Sequence, residues 1–258
     1  MATYLTANAV GEREDLSDVI SRIDPAETPI FSNGKKITTS GVFHEWQVQE
    51  LTAAADDNYQ SEGADYSYAN PTATTRLGNY HQISIQAASV SGTLDVVDKA
   101  GRDKETAYVK VLKGLEQRRD IEKALCKNEA RVASPEPRKA AKISSYITNV
   151  SLVSPSTTPA GTGADVSDKA GTNAALTLAK IDVAMKAAYE DGGQPDMLVV
   201  SPANKVAFSD LSSGSVATQQ LQYTAPREVA IVGSVSLYLT DFGELSVTID
   251  RQMLDDTV

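Results

Sequence analysis

Apolar and polar positions alternate with a period of two over residues 42–51: Val42, His44, Trp46 and Val48 share one face, Phe43, Glu45 and Gln47 the other. That alternation predicts a half-buried strand. It returns over Tyr80–Ala87, where Ile83 and Ile85 alternate with Gln82, Ser84 and Gln86, and predicts a matching strand. Between them, residues 52–79 are rich in Ala, Asp, Asn and Tyr and carry no period at their centre. A loop of this length is uncommon inside a compact domain. Fixing its backbone costs about 1–2 kcal/mol per residue, which its few apolar side chains do not offset. The loop is therefore expected either to be floppy or to be ordered by docking on a neighbouring subunit, and its tyrosines favour the second. Tyr59, Tyr66 and Tyr68 offer contact area there at low entropic cost.

Helical spacing appears elsewhere. Leu16, Val19, Ile20 and Ile23 share one face of a predicted short helix over Glu12–Ile23, which Asp24-Pro25 stops. Thr28-Pro29 then favours an extended path, because a residue before proline is pushed out of the helical region. Residues 1–41 thus read as an arm with little to bury within its own chain. The longest predicted helix covers about 97–128, with Ala107, Tyr108, Val111, Leu112, Leu115, Ile121 and Leu125 as its apolar stripe. The remaining positions are densely charged, Glu122 among them, and read as a solvated face. Same-sign neighbours, Glu116 with Asp120 and Arg119 with Lys123, point to partners beyond the helix. A proline-rich linker occupies 134–173, interrupted by an apolar island from Ile143 to Val153.

A tighter αβ unit follows. It comprises a helix over Leu176–Tyr189 ended by Gly192-Gly193, a buried strand over Met197–Val200, and a second helix capped by Ser201 with Pro202 at its first position. Ser234–Leu239 and Leu245–Ile249 alternate around a turn at Asp241-Phe242-Gly243, which predicts a hairpin. The fold class is α+β.

Charge and composition narrow the function by exclusion. Lys and Arg number 24 against 34 Asp and Glu, a formal charge of −10. The chain lacks the cationic excess that phosphate neutralisation requires. No stretch approaches the ~20 apolar residues of a membrane span, and the amino terminus has neither the basic start nor the apolar core of a secretory signal. The expected compartment is cytoplasm-like. Cys126 is the single cysteine, so no intrachain disulfide forms, and it reads as a small buried apolar residue.

Candidate chemistry is sparse. His44 and His81 lie on the two predicted strands and could face each other, but a metal site needs three or four ligands. Gly161-Thr162-Gly163 lacks the third glycine of a dinucleotide loop, and Gly34-Lys35-Lys36 lacks the spacing and hydroxyl of a phosphate loop. Asp56-Asp57-Asn58 begins like a calcium loop, yet Ser61 stands where glycine is required. Asn149-Val150-Ser151 fits a glycosylation pattern without a secretory context. No cofactor, metal or catalytic residue is expected. A hydrolase or carbohydrate-binding module would need a convergent polar set, which the sequence does not offer.

Six stretches, in order, carry a resemblance. They are REDLSDVISRIDPAETPIFSN at Arg13–Asn33, HEWQVQEL at His44–Leu51, TRLGNYHQISIQAASVSGT at Thr75–Thr93, YITN at Tyr146–Asn149, YEDGGQPDMLVVSPANK at Tyr189–Lys205 and GSVSLYLTDFGELSVTIDRQM at Gly233–Met253. Together they resemble the major capsid proteins of tailed bacteriophages with the Hong-Kong-phage type fold, shared in outline with encapsulins. The resemblance implies an amino-terminal arm at 1–41, an extended loop hairpin at 42–93, and a peripheral domain with a spine helix at 94–173. It further implies an axial domain at 174–232 and a hairpin at 233–258 returning to the peripheral domain. Members usually run several dozen residues past this hairpin, which bears on how complete the peripheral sheet is.

The function so implied is structural. Copies would assemble as pentamers and hexamers into an icosahedral shell in the host cytoplasm and then form the virion. The shell would enclose double-stranded DNA without sequence-specific binding, beside a portal and scaffolding or decoration proteins. An encapsulin-like compartment is the alternative. Subunit contacts are expected at Leu16, Ile20, Ile30 and Phe31 of the arm and at Tyr59, Tyr66, Tyr68 and Arg76 of the loop.

Overall fold

A computed structural model describes residues 15–66, 68, 70–133, 137–148, 160–166, 176–215, 222–223, 229–230 and 236–253. Mixed helix and sheet confirm the α+β class. The chain divides into two units: Met1–Glu27 with Ser84–Asp120, and Thr28–Ile83 with Ile121–Val258. The glycosylation pattern at 149–151, the first residues of the arm and the Ser234 end of the hairpin lie outside the described residues.

In the first unit the helix expected over Glu12–Ile23 is not formed where it is described; residues 15–23 are irregular. Leu16, Val19, Ile20 and Ile23 are all exposed. A helix this short is marginal in water unless its apolar face is covered, and here those four side chains stay exposed. A short helix α2 (Gly92–Val96) is capped by Ser91, whose hydroxyl accepts from the Leu94 N–H at 3.2 Å. The long helix α3 (Glu105–Leu125) starts later than the apolar spacing suggests. Its start is fixed by Asp95 Oδ1, which accepts from the Thr106 N–H at 2.9 Å. That hydrogen bond favours the ionised form, holding the Asp95 carboxyl below its ordinary value.

The strand expected over Tyr80–Ala87 is displaced. Strand β1 (Phe43–Val48) pairs antiparallel with β2 (Thr75–Tyr80), in a register running from Phe43 opposite Tyr80 to Val48 opposite Thr75. One further ladder bond, His81 N–H to Val42 O at 3.0 Å, closes the sheet. The chain then leaves it. Gln117 Nε2 donates to Ser84 O at 2.8 Å and Gln86 Nε2 donates to Asp120, so side chains of α3 hold the segment that the alternation assigned to a strand.

The core of the second unit is the αβ layer. Thr177 caps α4 (Leu178–Glu190) by accepting from the Lys180 N–H. Strand β3 (Met197–Val200) leads into α5 (Pro202–Ser215), and the Ser201 hydroxyl accepts from the Asn204 N–H at 3.2 Å. Strands β4 (Gln222–Tyr223) and β5 (Val229–Ala230) pair as a separate two-stranded sheet. Strands β6 (Leu237–Thr240) and β7 (Gly243–Ile249) form the expected hairpin. Its sheet has the order β3-β7-β6, with β3 parallel to β7. Ile181 and Met185, one helical turn apart on α4, meet Phe208 of α5 and Leu245 of β7 in the buried cluster.

Candidate subunit-assembly surface

The hairpin β1-β2 has a pinned foot and a bare tip. At the foot, Gly78 lies against the Phe43 ring so closely that a Cβ there would sit 2.6 Å from Cζ. Only a residue without a side chain permits that approach. Gly78 O accepts from Tyr146 Oη at 3.2 Å and from the Arg131 guanidinium. Asn79 acts as an extra strand segment: its Oδ1 accepts from the Ala141 N–H at 2.8 Å and its Nδ2 donates to Ala141 O at 3.2 Å. Trp46 packs on Tyr146 with ring centroids 5.6 Å apart.

Beyond the foot the picture changes. Every described residue from Glu45 to Arg76 is exposed. The tongue between the strands is tied at its base by Gln49 Nε2 to Thr72 O and Thr74 Oγ1 to Gln47 Oε1, at 3.1 and 2.9 Å. Farther out, the described residues make only two local turns, Tyr59 N–H to Asp57 O and Ala64 N–H to Ser61 O. Tyr59, Tyr66 and Tyr68 are 86%, 85% and 96% exposed. Arg76 is also exposed and stands 3.8 Å from Glu45, a loose surface pair of little energetic weight. The tongue carries Glu50, Asp56, Asp57, Glu62 and Asp65, and no Lys, Arg or His between Val48 and Arg76.

The arm residues separate into two kinds. Leu16 and Ile20 present exposed apolar side chains. Ile30 and Phe31 instead begin a short helix α1 (Pro29–Asn33), and their backbone N–H groups each donate to the Glu122 carboxylate at 2.7 Å. Sequence reasoning placed Glu122 on a solvated face. It is fully buried. The helix stripe alone gives no signal for this, because the partner groups are backbone amides 91 and 92 positions away.

Burial pushes the Glu122 carboxyl above its ordinary value, against the two amide donors that favour its charge; Asp250 beside it pushes in the same direction as burial. Asp250 is itself fully buried, accepts from the Gln252 N–H at 2.8 Å and lies 3.6 Å from Cys126 Sγ. Cys126 is buried as expected, and burial next to these carboxylates pushes its thiol up to about 12. A thiol in that state is not a nucleophile at neutral pH.

The two histidines do not converge. His81 Nε2 lies 2.7 Å from Thr39 Oγ1, while His44 is paired across the sheet with Asn79. Among the described residues no group of three or more His, Cys, Asp or Glu side chains is arranged to hold a metal ion. No described helix is long and apolar enough to cross a membrane.

An arrangement of pinned foot, bare acidic tongue and exposed arm is suited to contact rather than chemistry. The family model for the SU10 major capsid protein matches residues 2–258. The chain belongs to that family. Among similar proteins is the major capsid protein of Escherichia phage Phieco32, 29% identical over 128 residues, which is 50% of this chain. The matched part spans 36% of that relative's length. Membership of the SU10 major capsid family makes the protein a structural component of a phage particle, and the match gives no support to the encapsulin reading.

Proposed function

We propose that this SU10-family capsid protein is the self-assembling subunit of an icosahedral shell that encloses phage double-stranded DNA. In this reading it adopts the Hong-Kong-phage type fold: arm at 1–41, extended loop at 42–93, peripheral domain with spine helix α3 at 94–173, axial domain at 174–232 and a returning hairpin at 233–258. Pentamers and hexamers form through the axial domains in the host cytoplasm. The tongue of each copy lies on a neighbour, with Tyr59, Tyr66, Tyr68 and Arg76 in the contact. The arm, through Leu16, Ile20, Ile30 and Phe31, extends the set. Portal, scaffolding and decoration proteins complete the particle. The formal charge of −10 keeps the wall from gripping the DNA it contains.

The observation that carries this reading is the exposure of every described residue from Glu45 to Arg76. Ordering such a segment costs about 1–2 kcal/mol per residue, a cost its own chain leaves unmatched. Many weak contacts per subunit, closed into a shell, supply the difference cooperatively.

Excising residues 51–72 and joining the strands by an Asn-Gly turn tests it, since the Gly78 foot is left whole. The expected product is soluble, folded subunit that forms no closed particles by electron microscopy. Normal particles from the excised chain would refute the proposal.

A further inference from the structure

Thr28 is buried, but no residue of α1 after it has a buried side chain, so packing alone does not hold this helix to its subunit. Among the described residues its hydrogen bonds to distant parts of the chain are few. Ile30 and Phe31 donate their N–H groups to Glu122, one to each carboxylate oxygen, and Asn33 Nδ2 makes a weak contact with Met197 Sδ at 3.5 Å. Pro29 has no N–H to offer, so the two amides on Glu122 are the first that α1 presents.

The acceptor has an uncommon setting. Glu122 and Asp250 are both fully buried and lie beside each other, where α1, the last turn of α3 and the residue after β7 meet. The end of α3 brings Glu122 and Cys126 to this place, the end of β7 brings Asp250, and α1 brings no titratable group. Among the described residues no Lys, Arg or His is ion-paired with either carboxylate. Lys123 and Arg251, their neighbours in sequence, are exposed, and Lys36 lies over the Phe31 ring at 4.2 Å. Two adjacent negative charges that are buried and lack a cation repel strongly. Such a pair titrates as a unit and keeps one proton beyond the range of a solvated carboxyl.

We propose that Glu122 and Asp250 are a one-proton latch: with one proton between them the pair is closed and holds α1, and loss of that proton to solvent opens it and frees Pro29–Asn33. A single charge on the pair is matched by the Ile30 and Phe31 amides. A second charge would have only the Gln252 N–H and the Cys126 thiol beside Asp250, neither of them a cation. Water must then enter, and α1, with no buried side chain of its own, is the part that yields. Cys126 keeps its own proton throughout, because its thiol is pushed up to about 12. The latch is a property of one copy and stands apart from the shell reading.

Amide hydrogen exchange in the unassembled chain tests the latch, read by NMR at Ile30 and Phe31 from pH 5 to pH 9 and corrected for intrinsic exchange. Protection of both amides should be constant at the acid end and fall about tenfold per pH unit once the proton leaves. Protection at Met185, in the buried cluster, should not fall with it. Constant protection of Ile30 and Phe31 over the whole range overturns the latch, as does a fall in step with Met185, which reports unfolding of the αβ layer. Asp250→Asn leaves Glu122 alone on its two amides and should make protection independent of pH; a fall like the parent's overturns the pairing. Should Asp250→Asn fail to fold, the carbon-13 carboxyl titration of the unaltered chain decides. A Glu122 midpoint above 4.5 that coincides with the fall in protection is expected, and a midpoint at or below 4.5, or one away from the fall, overturns the latch.

Discussion

The αβ layer and the tongue belong to the same unit, yet they are held by different means. In the layer, Ile181, Met185, Phe208 and Leu245 exclude water from one another, and the Phe208 ring meets Tyr238 edge-on at 5.6 Å. In the tongue, the described residues between the strands are all exposed and make only base ties and local turns. The layer contains its own reason to fold. On the proposed reading, the tongue's reason comes from a neighbouring copy. Stability and assembly are therefore written into different residues, and substitutions should separate them.

The largest effect is expected in the layer. Phe208→Ala removes a fully buried ring and should cost the isolated subunit about 3–5 kcal/mol in a urea melt. A loss near zero would mean that the layer is not the stabilising core.

Next comes the carboxylate that anchors α1. Glu122→Gln leaves one acceptor oxygen for two amides, at about 1–3 kcal/mol. The size of that loss should depend on pH. Burial raises the folded-state value of Glu122 above 4.5, so the native chain holds this proton more tightly than the unfolded chain does. The stability from this group is full below 4.5 and is lost as pH rises through the raised value. Glu122→Gln should thus cost more at pH 5 than at pH 8; equal losses would show that Glu122 does not titrate in that window.

The smallest effect on the subunit is expected from Tyr59→Ala, Tyr66→Ala and Tyr68→Ala together. Because these rings are exposed, the melt should move by no more than about 0.5 kcal/mol per site, while particle yield falls sharply. A large loss of subunit stability would erase the contrast between the two regions.

Legibility followed the same division. The αβ layer was readable because its determinants are local: Ser201-Pro202 starts α5, four apolar residues make β3, and a tight turn joins β6 to β7. The hairpin was foreseen, but its second strand lies at 75–80 rather than 80–87. Alternation at Ile83 and Ile85 reports strand propensity, but no strand among the described residues pairs with them, and Gln86 and Gln117 draw the segment onto α3 instead. The arm helix failed for a related reason: its apolar face stays exposed among the described residues. Of the residues expected at subunit contacts, the exposure of the tyrosines was readable from composition and the lack of period. The burial of Glu122 was not, since side-chain spacing carries no trace of a distant backbone amide.

The α1 anchor has a consequence for the order of events during synthesis. Ile30 leaves the ribosome 92 residues before the carboxylate that receives its N–H, and Asp250 follows Cys126 by a further 124. Contacts of such sequence separation form late. The nascent chain therefore carries an unanchored leading end until translation has passed Glu122, and that carboxylate gains Asp250 as a neighbour only once β7 has been made.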